Sequence, residues 1–164
     1  MPATYILDKA SIDLKLRRLA LEIAERNTDT DRIVLAGVAP NGVVMAQKLK
    51  ALLAGWYNGT IDEITINLDK KEPKTVAMDP ISNAENSVVI IVDDVANSGK
   101  TLTYAIKPLL DFFPKKIQTL VLVDRTHKAF PVQPDYIGYS LCTTLQDYID
   151  VEVKDGELFA AWVE

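Results

Sequence analysis

The sequence predicts an α/β fold, in which a mostly parallel twisted sheet is flanked by helices, with a small hood and a C-terminal β-hairpin. Short apolar runs at residues 32–37, 88–92 and 117–123 have the length and composition of buried strands. Segments with helical spacing separate these runs, and this alternation is typical of parallel sheets covered by helices. The length fits one unit, so we expect residues 1–164 to form a single domain.

The first helix is predicted at residues 11–26. Its apolar side chains recur at helical intervals, and Ser11 precedes them as a suitable N-cap. The polar residues 27–31 interrupt this pattern before the first buried strand begins. We therefore expect an amphipathic helix that packs one face against the sheet.

A tight loop is predicted directly after that strand, at residues 39–42. Pro40 and Gly42 both favour a turn there. Helical spacing resumes at residues 43–53, and Gly55 is a typical stop signal after a helix. A second helix is therefore expected to follow the loop.

Residues 69–87 differ from the rest of the chain. They follow an alternating strand pattern at residues 63–68, are polar, contain Pro73 and Pro80, and have no clear periodicity. A loop of this length is uncommon inside a compact domain and is often functional when it occurs. We expect a functional segment here.

The clearest strand pattern is the apolar run at residues 88–92. A helix is predicted at residues 101–112, and Pro108 should kink or shorten it because proline removes a backbone donor. The apolar run at residues 117–123 should then form the neighbouring strand. This strand–loop–helix–strand order is typical of the centre of a parallel sheet.

The C-terminal part contains strand patterns without helices. Residues 135–141 and 148–153 form weaker strand patterns, and residues 151–163 predict a hairpin. Asp155 and Gly156 are a favoured pair for a two-residue turn. An antiparallel addition or small hood is therefore expected after the parallel sheet.

Composition excludes several functional classes. The net charge of −5 argues against a nucleic-acid binder, because neutralised phosphates supply most of the affinity of such proteins. The single cysteine, Cys142, allows no internal disulfide and favours a reducing, cytoplasmic location. No apolar stretch approaches the roughly 20 residues of a membrane span. His127 is the only histidine, so sites built from several histidines are excluded.

The residues best suited to bind a ligand or take part in a reaction are concentrated where the strand at 88–92 ends. Asp93 and Asp94 follow it directly, and two carboxylates suit a diol or a hydrated magnesium ion. A small polar loop then opens the next helix, where free backbone N–H groups can hold a phosphate. Ligands of such sheets bind beyond the carboxyl ends of the strands, which places residues 37–42 at the same edge. The loop consists of Asn97, Ser98, Gly99, Lys100 and Thr101.

Two other interpretations compete for this segment. The letters SGKT resemble the end of a P-loop, but the first glycine of that motif would fall at Asp94, which excludes it. The acids could instead simply end a strand while Asn97 or Ser98 caps a helix. Capping alone does not require two adjacent acids behind an apolar strand, so we favour a phosphate and diol site.

The segment VVIIVDDVANSGKT, at residues 88–101, resembles the signature with which type I phosphoribosyltransferases bind 5-phosphoribosyl-1-pyrophosphate (PRPP). That signature is an apolar strand, two acids, and a Thr/Ser-Gly step that opens a helix. Residues 5–27, 121–127 and 134–138 resemble one branch, the bacterial pyrimidine-operon regulators and uracil phosphoribosyltransferases of the PyrR family. The resemblance implies the type I phosphoribosyltransferase fold.

The resemblance also implies an activity and a site. The protein would use Mg²⁺ and PRPP to convert a nucleobase, with uracil expected, to its nucleoside 5′-monophosphate, releasing pyrophosphate. Asp93 and Asp94 would be the catalytic acids and would bind the ribose hydroxyls, while Asn97, Ser98, Gly99, Lys100 and Thr101 would hold the 5-phosphate. Pyrophosphate would bind the loop formed by Val38, Ala39, Pro40, Asn41 and Gly42. The base would contact Asp124, Tyr136 and Ile137.

Further expectations concern the lid, the metal and the assembly. Residues 69–87 would be a mobile lid over the site. Magnesium would be held mainly by PRPP and water, so no metal site built by the protein alone is expected. The family resemblance implies a homodimer or a higher homo-oligomer.

The chain departs from the family pattern in the pyrophosphate loop and the lid. Family members carry a basic residue on each side of a threonine in this loop, whereas this chain has Ala39 and Asn41 around Pro40. Lys70 and Lys71 stand near the start of the lid where an arginine is usual, and lysine lacks the bidentate fork of arginine. A catalytically weak regulator that binds PRPP or a nucleotide is therefore the alternative, and RNA binding is not expected.

Overall fold

A six-stranded sheet forms the centre of the computed structural model, which describes residues 4–144 and 147–164. Five of its strands are parallel, and only the edge strand β4 is antiparallel. The strands, in spatial order, are β4 (Val76–Met78), β3 (Thr60–Leu68), β2 (Arg32–Val38), β5 (Val88–Ala96), β6 (Lys116–Arg125) and β7 (Tyr136–Leu141).

Helices cover both faces of this sheet. Helices α1 (Lys9–Arg26) and α2 (Asn41–Leu53) pack on one face, and α3 (Lys100–Ile106) packs on the other. Alternate side chains of a strand point to opposite faces, and residues 88–92 of β5 are apolar on both faces. This stretch therefore fits the centre of the sheet, where a parallel strand is covered on both faces. Among the described residues, no helix combines the length and the apolar character needed to cross a membrane.

A separate three-stranded antiparallel sheet is built from both ends of the chain. It consists of β1 (Thr4–Leu7), β9 (Glu157–Val163) and β8 (Ile149–Lys154), in that order. The turn between β8 and β9 contains Asp155 and Gly156, both with positive φ angles of 53° and 72°, as a two-residue hairpin turn requires. This sheet forms a hood beside the carboxyl ends of the parallel strands.

Ion pairs fasten the hood to the two helices on its side. The Glu157 carboxylate lies 2.8 Å from the Lys48 ammonium on α2 and 3.0 Å from the Lys9 ammonium on α1. Hydrogen bonds from Lys48 and then Lys9 lower the pKa of Glu157 to about 2. The carboxylate therefore stays charged over the whole physiological pH range, although its exposure to solvent limits the energy of the two pairs.

The predicted α/β fold and C-terminal hairpin are confirmed. One local prediction was wrong, because Asp8 and not Ser11 caps α1, and the Asp8 carboxylate accepts a hydrogen bond from the Ser11 N–H. Strand β5 also continues beyond residue 92, since its ladder with β6 extends to the Ala96–Asp124 pair. Asp93 and Asp94 therefore lie within the strand rather than after it.

Two further predictions are corrected by the structure. Residues 69–87 are not a structureless loop, because they contain β4 and a 3₁₀ turn at Ala84–Asn86. The helix predicted at residues 101–112 is α-helical only to Ile106 and continues as a 3₁₀ helix at Lys107–Phe112. Pro108 stands near the start of this 3₁₀ segment, where its missing N–H is tolerated.

Candidate active site

A cavity of about 420 Å³ lies at the carboxyl ends of the central strands. Its volume falls within the range of small-molecule sites. The walls come from the start of α2, the end of β5, the loop that follows β5, the segment after β3, and the hood. The lining residues are Pro40, Asn41, Lys70, Asp94, Val95, Ala96, Asn97, Ser98, Gly99, Lys100, Thr101, Leu102, Tyr148, Ile149 and Asp150.

The two adjacent acids of β5 have different positions. Asp94 lines the cavity and is 6% exposed, whereas Asp93 is completely buried behind it. Burial, the largest cause, raises the pKa of Asp93 well above its usual value, and the nearby Asp94 charge raises it further. The Asp93 carboxylate accepts a hydrogen bond of 2.9 Å from the Asp94 N–H, which compensates part of its lost hydration.

Lys70 brings a positive charge to this acidic pair. Its ammonium lies 3.1 Å and 3.3 Å from the two carboxylate oxygens of Asp93 and 3.5 Å from Asp94 Oδ1. Burial alone would lower the pKa of Lys70, but the charges of Asp93 and Asp94 outweigh this effect and raise it. The Lys70 side chain is 39% exposed, so it can leave the acids at moderate cost.

Asn41 and Gly42 bring the start of α2 against the acids. The Asn41 amide donates a hydrogen bond of 2.8 Å to Asp94 Oδ2. A Cβ atom on Gly42 would lie 2.3 Å from the Val92 carbonyl oxygen, so only glycine allows α2 to begin this close to β5. Of the predicted pyrophosphate loop, Pro40 and Asn41 line the cavity, whereas Val38, Ala39 and Gly42 do not.

The loop between β5 and α3 is held in a fixed conformation. Gly99 has a φ angle of 85°, which disfavours any residue with a side chain. The Ser98 carbonyl accepts hydrogen bonds from the Ala129 N–H (2.9 Å) and the Phe130 N–H (3.1 Å). All of residues 97–101, the predicted phosphate-binding loop, line the cavity as a result.

The segment after β3 touches this loop at one point. The Lys100 ammonium donates a hydrogen bond of 2.7 Å to the Lys71 carbonyl. From Val76 onward the segment is fixed more firmly, because β4 pairs with β3 and the Ile81 and Ala84 side chains are buried. The structure therefore brings only Lys70 of residues 69–87 to the cavity wall, with the Lys71 carbonyl bound to Lys100 beside it.

The structure does not bring the predicted base-binding residues to the cavity. Tyr136 is fully buried, and its hydroxyl donates a hydrogen bond of 2.8 Å to Gln118. Ile137 packs into the core on the face of the sheet opposite to that of Tyr136. The Asp124 carboxylate is paired with the Lys128 ammonium, and both side chains are nearly buried.

The register of β7 explains this difference. Tyr136 pairs with Leu120, whereas β6 ends at Arg125. Leu120 in turn pairs with Val92, two residues before Asp94, so at about 3.3 Å per residue Tyr136 lies about 7 Å before the first β5 residue of the cavity wall. Tyr136 therefore lies in the core below the cavity and does not form part of its wall.

Sequence reasoning missed the part of the hood that lines the cavity. Tyr148, Ile149 and Asp150 form one wall, and Tyr148 is 58% exposed although it is a large aromatic residue. An exposed ring at the rim of a polar cavity is suited to stacking on a flat ligand. The sequence offered one signal, an aromatic residue at the start of a strand pattern, but not the folding of this strand over the sheet edge.

The residues of the cavity fit a hydrated divalent cation that a ligand also holds. The Asp94 carboxylate, which lines the cavity, is an oxygen donor of the type that magnesium prefers. Asn97, which also lines the cavity, has a buried side-chain oxygen without a hydrogen-bond partner in the described part of the chain. Within residues 4–144 and 147–164, no cluster of three or more potential ligands from His, Cys, Asp and Glu occurs. That the protein alone builds no metal site remains a prediction.

Comparison with known proteins identifies what the chain is similar to. The sequence profile described as "Phosphoribosyl transferase domain" matches residues 3–154. The bifunctional protein PyrR of Ligilactobacillus salivarius is 33% identical, with 94% of this chain and 96% of that protein covered. The bifunctional protein PyrR of Bacillus cereus is also 33% identical, with 92% and 90% covered.

Solved structures share the fold at lower sequence identity. The hypoxanthine phosphoribosyltransferase of Trypanosoma cruzi superposes with a TM-score of 0.78 and 17% identity, covering 96% of this chain and 95% of that one. A hypoxanthine-guanine phosphoribosyltransferase of Bacillus anthracis gives a TM-score of 0.74 and 20% identity, with 98% and 96% covered. At such low identity these likenesses concern the fold and not the substrate.

The buried acid predicts a characteristic dependence of stability on pH. A carboxyl with a raised pKa in the folded state contributes stability below its unfolded pKa, and this contribution is lost as the pH rises through the folded pKa. Asp93→Asn keeps the oxygen that accepts from the Asp94 N–H and removes the charge. We expect the free energy of unfolding of this variant, relative to the unmodified protein, to increase between pH 5 and pH 8.

Urea denaturation at both pH values measures this difference. Asp111→Asn is a matched control, because it makes the same change on an exposed side chain and should alter stability by less than about 0.5 kcal/mol. A loss of stability on Asp93→Asn that grows toward pH 8 would contradict the prediction. It would mean that the ion pair with Lys70 outweighs the burial of Asp93.

Proposed function

The chain belongs to the phosphoribosyl transferase domain family, within its PyrR branch, and from this premise we propose that it transfers the phosphoribosyl group of PRPP to a nucleobase. Uracil is the proposed base, and the products are uridine 5′-monophosphate and pyrophosphate. One observation carries the proposal: Asp94 of β5 and the loop at residues 97–101 line the same cavity, with Asp93 directly behind Asp94. An acid and a phosphate-binding loop in one cavity suit a ribose 5-phosphate, whose diol and phosphate lie at opposite ends of the molecule.

The phosphate end of PRPP would bind the loop before α3. Backbone N–H groups at the start of a helix lack acceptors within the helix and point outward. Ser98 and Thr101 add hydroxyl donors, and Lys100 adds a positive charge at the cavity wall. Together these groups would neutralise and orient a dianionic phosphate.

The diol of the ribose would bind the acids. Asp94 faces the cavity, and Asp93 is reached once Lys70 moves away. Two carboxylates beside the ribose favour the positive charge that develops at C1 when the bond to pyrophosphate breaks. No covalent nucleophile is needed, because positioning the base nitrogen opposite the leaving group and excluding water supply the acceleration. Bound magnesium would neutralise charge on the pyrophosphate.

The base would stack against the hood. Tyr148 supplies an exposed ring at the rim, and Ile149 supplies apolar surface beside it. These residues replace Asp124, Tyr136 and Ile137 as the proposed base site. Uracil is preferred because the sequence relatives are PyrR proteins, whereas the hypoxanthine enzymes are similar only in fold.

A specific observation favours a second function, in which the protein binds PRPP or a nucleotide and regulates a partner with little catalysis. The predicted pyrophosphate loop contains no basic residue between Val38 and Gly42. Lys70, the cation that the segment after β3 brings to the cavity, is already paired with Asp93 and Asp94. A leaving pyrophosphate would then receive fewer charge-assisted contacts, each worth about 1.5–3 kcal/mol.

Pyrophosphate release distinguishes the two functions. The protein is incubated with magnesium, PRPP and one base at a time from uracil, hypoxanthine, guanine, adenine, xanthine and orotate. We expect release with uracil and little with the others. Release with a purine alone would contradict the proposed base. PRPP binding by calorimetry without release from any base would establish the regulator instead.

The proposed base site predicts a selective kinetic defect. Tyr148→Ala should raise the KM for the base about tenfold, because aromatic stacking contributes about 1–3 kcal/mol, while the KM for PRPP stays within about twofold. Tyr148→Phe keeps the ring and should behave like the unmodified protein.

Tyr136→Phe provides the contrasting control. It removes the hydroxyl that binds Gln118 and Asn27 in the core and should lower stability by about 1 kcal/mol with an unchanged KM for the base. Steady-state kinetics and urea denaturation measure the two quantities. A raised KM for the base in Tyr136→Phe, with none in Tyr148→Ala, would return the base site to the strand that begins at Tyr136.

A further inference from the structure

The side chain of Asn41 joins three elements that meet at the cavity. Its amide nitrogen donates a hydrogen bond of 2.8 Å to Asp94 Oδ2 on β5 and one of 3.1 Å to the Val151 carbonyl on β8. An amide group has two N–H donors, so both are used inside the protein. Asn41 itself stands at the first position of α2.

The orientation of the Asp94 carboxylate depends on this contact. Its Oδ1 accepts a hydrogen bond of 2.8 Å from the Val95 N–H, and its Oδ2 accepts from Asn41. Lys70 lies 3.5 Å from Oδ1, beyond the usual length of a hydrogen bond, and its side chain is half-exposed. Asn41 is therefore the side chain that fixes the rotation of this carboxylate.

The second hydrogen bond connects the same residue to the hood. Val151 follows directly after the residues of β8 that line the cavity, and its side chain is 3% exposed. A bond to its carbonyl fixes the distance between α2 and β8. Ribose-binding acid and base-stacking wall are thus held by one amide group.

We propose that Asn41 is a positioning residue, which orients Asp94 toward the ribose hydroxyls and ties the hood strand to the ribose site. The inference rests on the function proposed above. It gives Asn41 a role other than direct contact with pyrophosphate, since both of its donors point to protein acceptors. The specificity that depends on it is the preference for a ribose over a 2′-deoxyribose ligand.

Binding of two nucleotides without pyrophosphate tests this role. Uridine 5′-monophosphate and 2′-deoxyuridine 5′-monophosphate are titrated calorimetrically into the full chain and into Asn41→Asp and Asn41→Ala. Asn41→Asp keeps nearly the same size. It replaces the two N–H donors, which face a carboxylate and a carbonyl, by an oxygen that can only accept. Asn41→Ala removes both bonds without adding charge and serves if the charged variant fails to fold, which thermal unfolding reveals.

We expect the unmodified protein to prefer the ribonucleotide. Asn41→Asp should weaken binding of the ribonucleotide about ten- to a hundredfold, which is the effect of losing a hydrogen bond to a charged group. The two nucleotides should then bind with nearly equal affinity. Asn58→Asp makes the same chemical change on an exposed side chain that does not line this cavity. It should leave both affinities within about twofold.

Two results would overturn the inference. Unchanged nucleotide binding in both Asn41 variants, with weaker binding of PRPP, would make Asn41 a direct pyrophosphate ligand. Equal weakening of the two nucleotides, with the ribose preference retained, would show a general distortion of the cavity. If the unmodified protein binds neither nucleotide nor PRPP, the proposed function itself fails, whatever the variants do.

Discussion

The burial of two adjacent carboxylates at the end of the central strand is the constraint on which the site depends. An isolated buried charge is costly, so the surrounding structure has to supply cations and hydrogen-bond donors. The Asp93 carboxylate accepts hydrogen bonds from the Asp94 N–H and the Lys70 ammonium, and the Asp94 carboxylate accepts one from the Asn41 amide. The start of α2 and the segment after β3 therefore converge on the same two side chains, and Asn41 connects the hood to them.

This constraint also explains how a chain without basic residues in its pyrophosphate loop keeps a charged site. The cations come from elsewhere, since Lys70 lies against the acids and Lys100 lies in the predicted phosphate-binding loop. Lys70 reaches its position from a segment whose later part is fixed by β4. A ligand that displaces Lys70 from the acids would free its positive charge at the cavity wall.

The sequence was informative where local pattern decides structure. The apolar run at residues 88–92 predicted the central strand, and the Asp155–Gly156 pair predicted the hairpin turn, because burial on both faces and positive φ angles restrict the residue types. Local pattern failed at the N-cap of α1, because Asp8 and Ser11 are both suitable caps and only the backbone geometry separates them. It failed also at the end of β5, whose length is set by pairing with β6.

The candidate site could likewise be predicted only in part from the sequence. The acids and the phosphate loop are contiguous in sequence, so a single segment revealed them. The proposed base wall could not be found, because it requires the β8–β9 hairpin to pair with β1 from the opposite end of the chain and β8 to lie beside β5. The family resemblance predicted that Tyr136 contacts the base, whereas the register of β7 puts this residue in the core.

The most direct test of this account is the binding of PRPP, with magnesium, to the protein in which Asp93→Asn and Asp94→Asn are combined, measured by titration calorimetry. The control, Asp111→Asn with Asp155→Asn, removes the same two charges at an exposed helix position and in the hairpin turn. We expect the unmodified protein and the control to bind PRPP with similar affinity, and the double variant at the acids to remain folded and lose binding. Retained binding in the folded double variant would contradict the assignment of this cavity as the phosphoribosyl site.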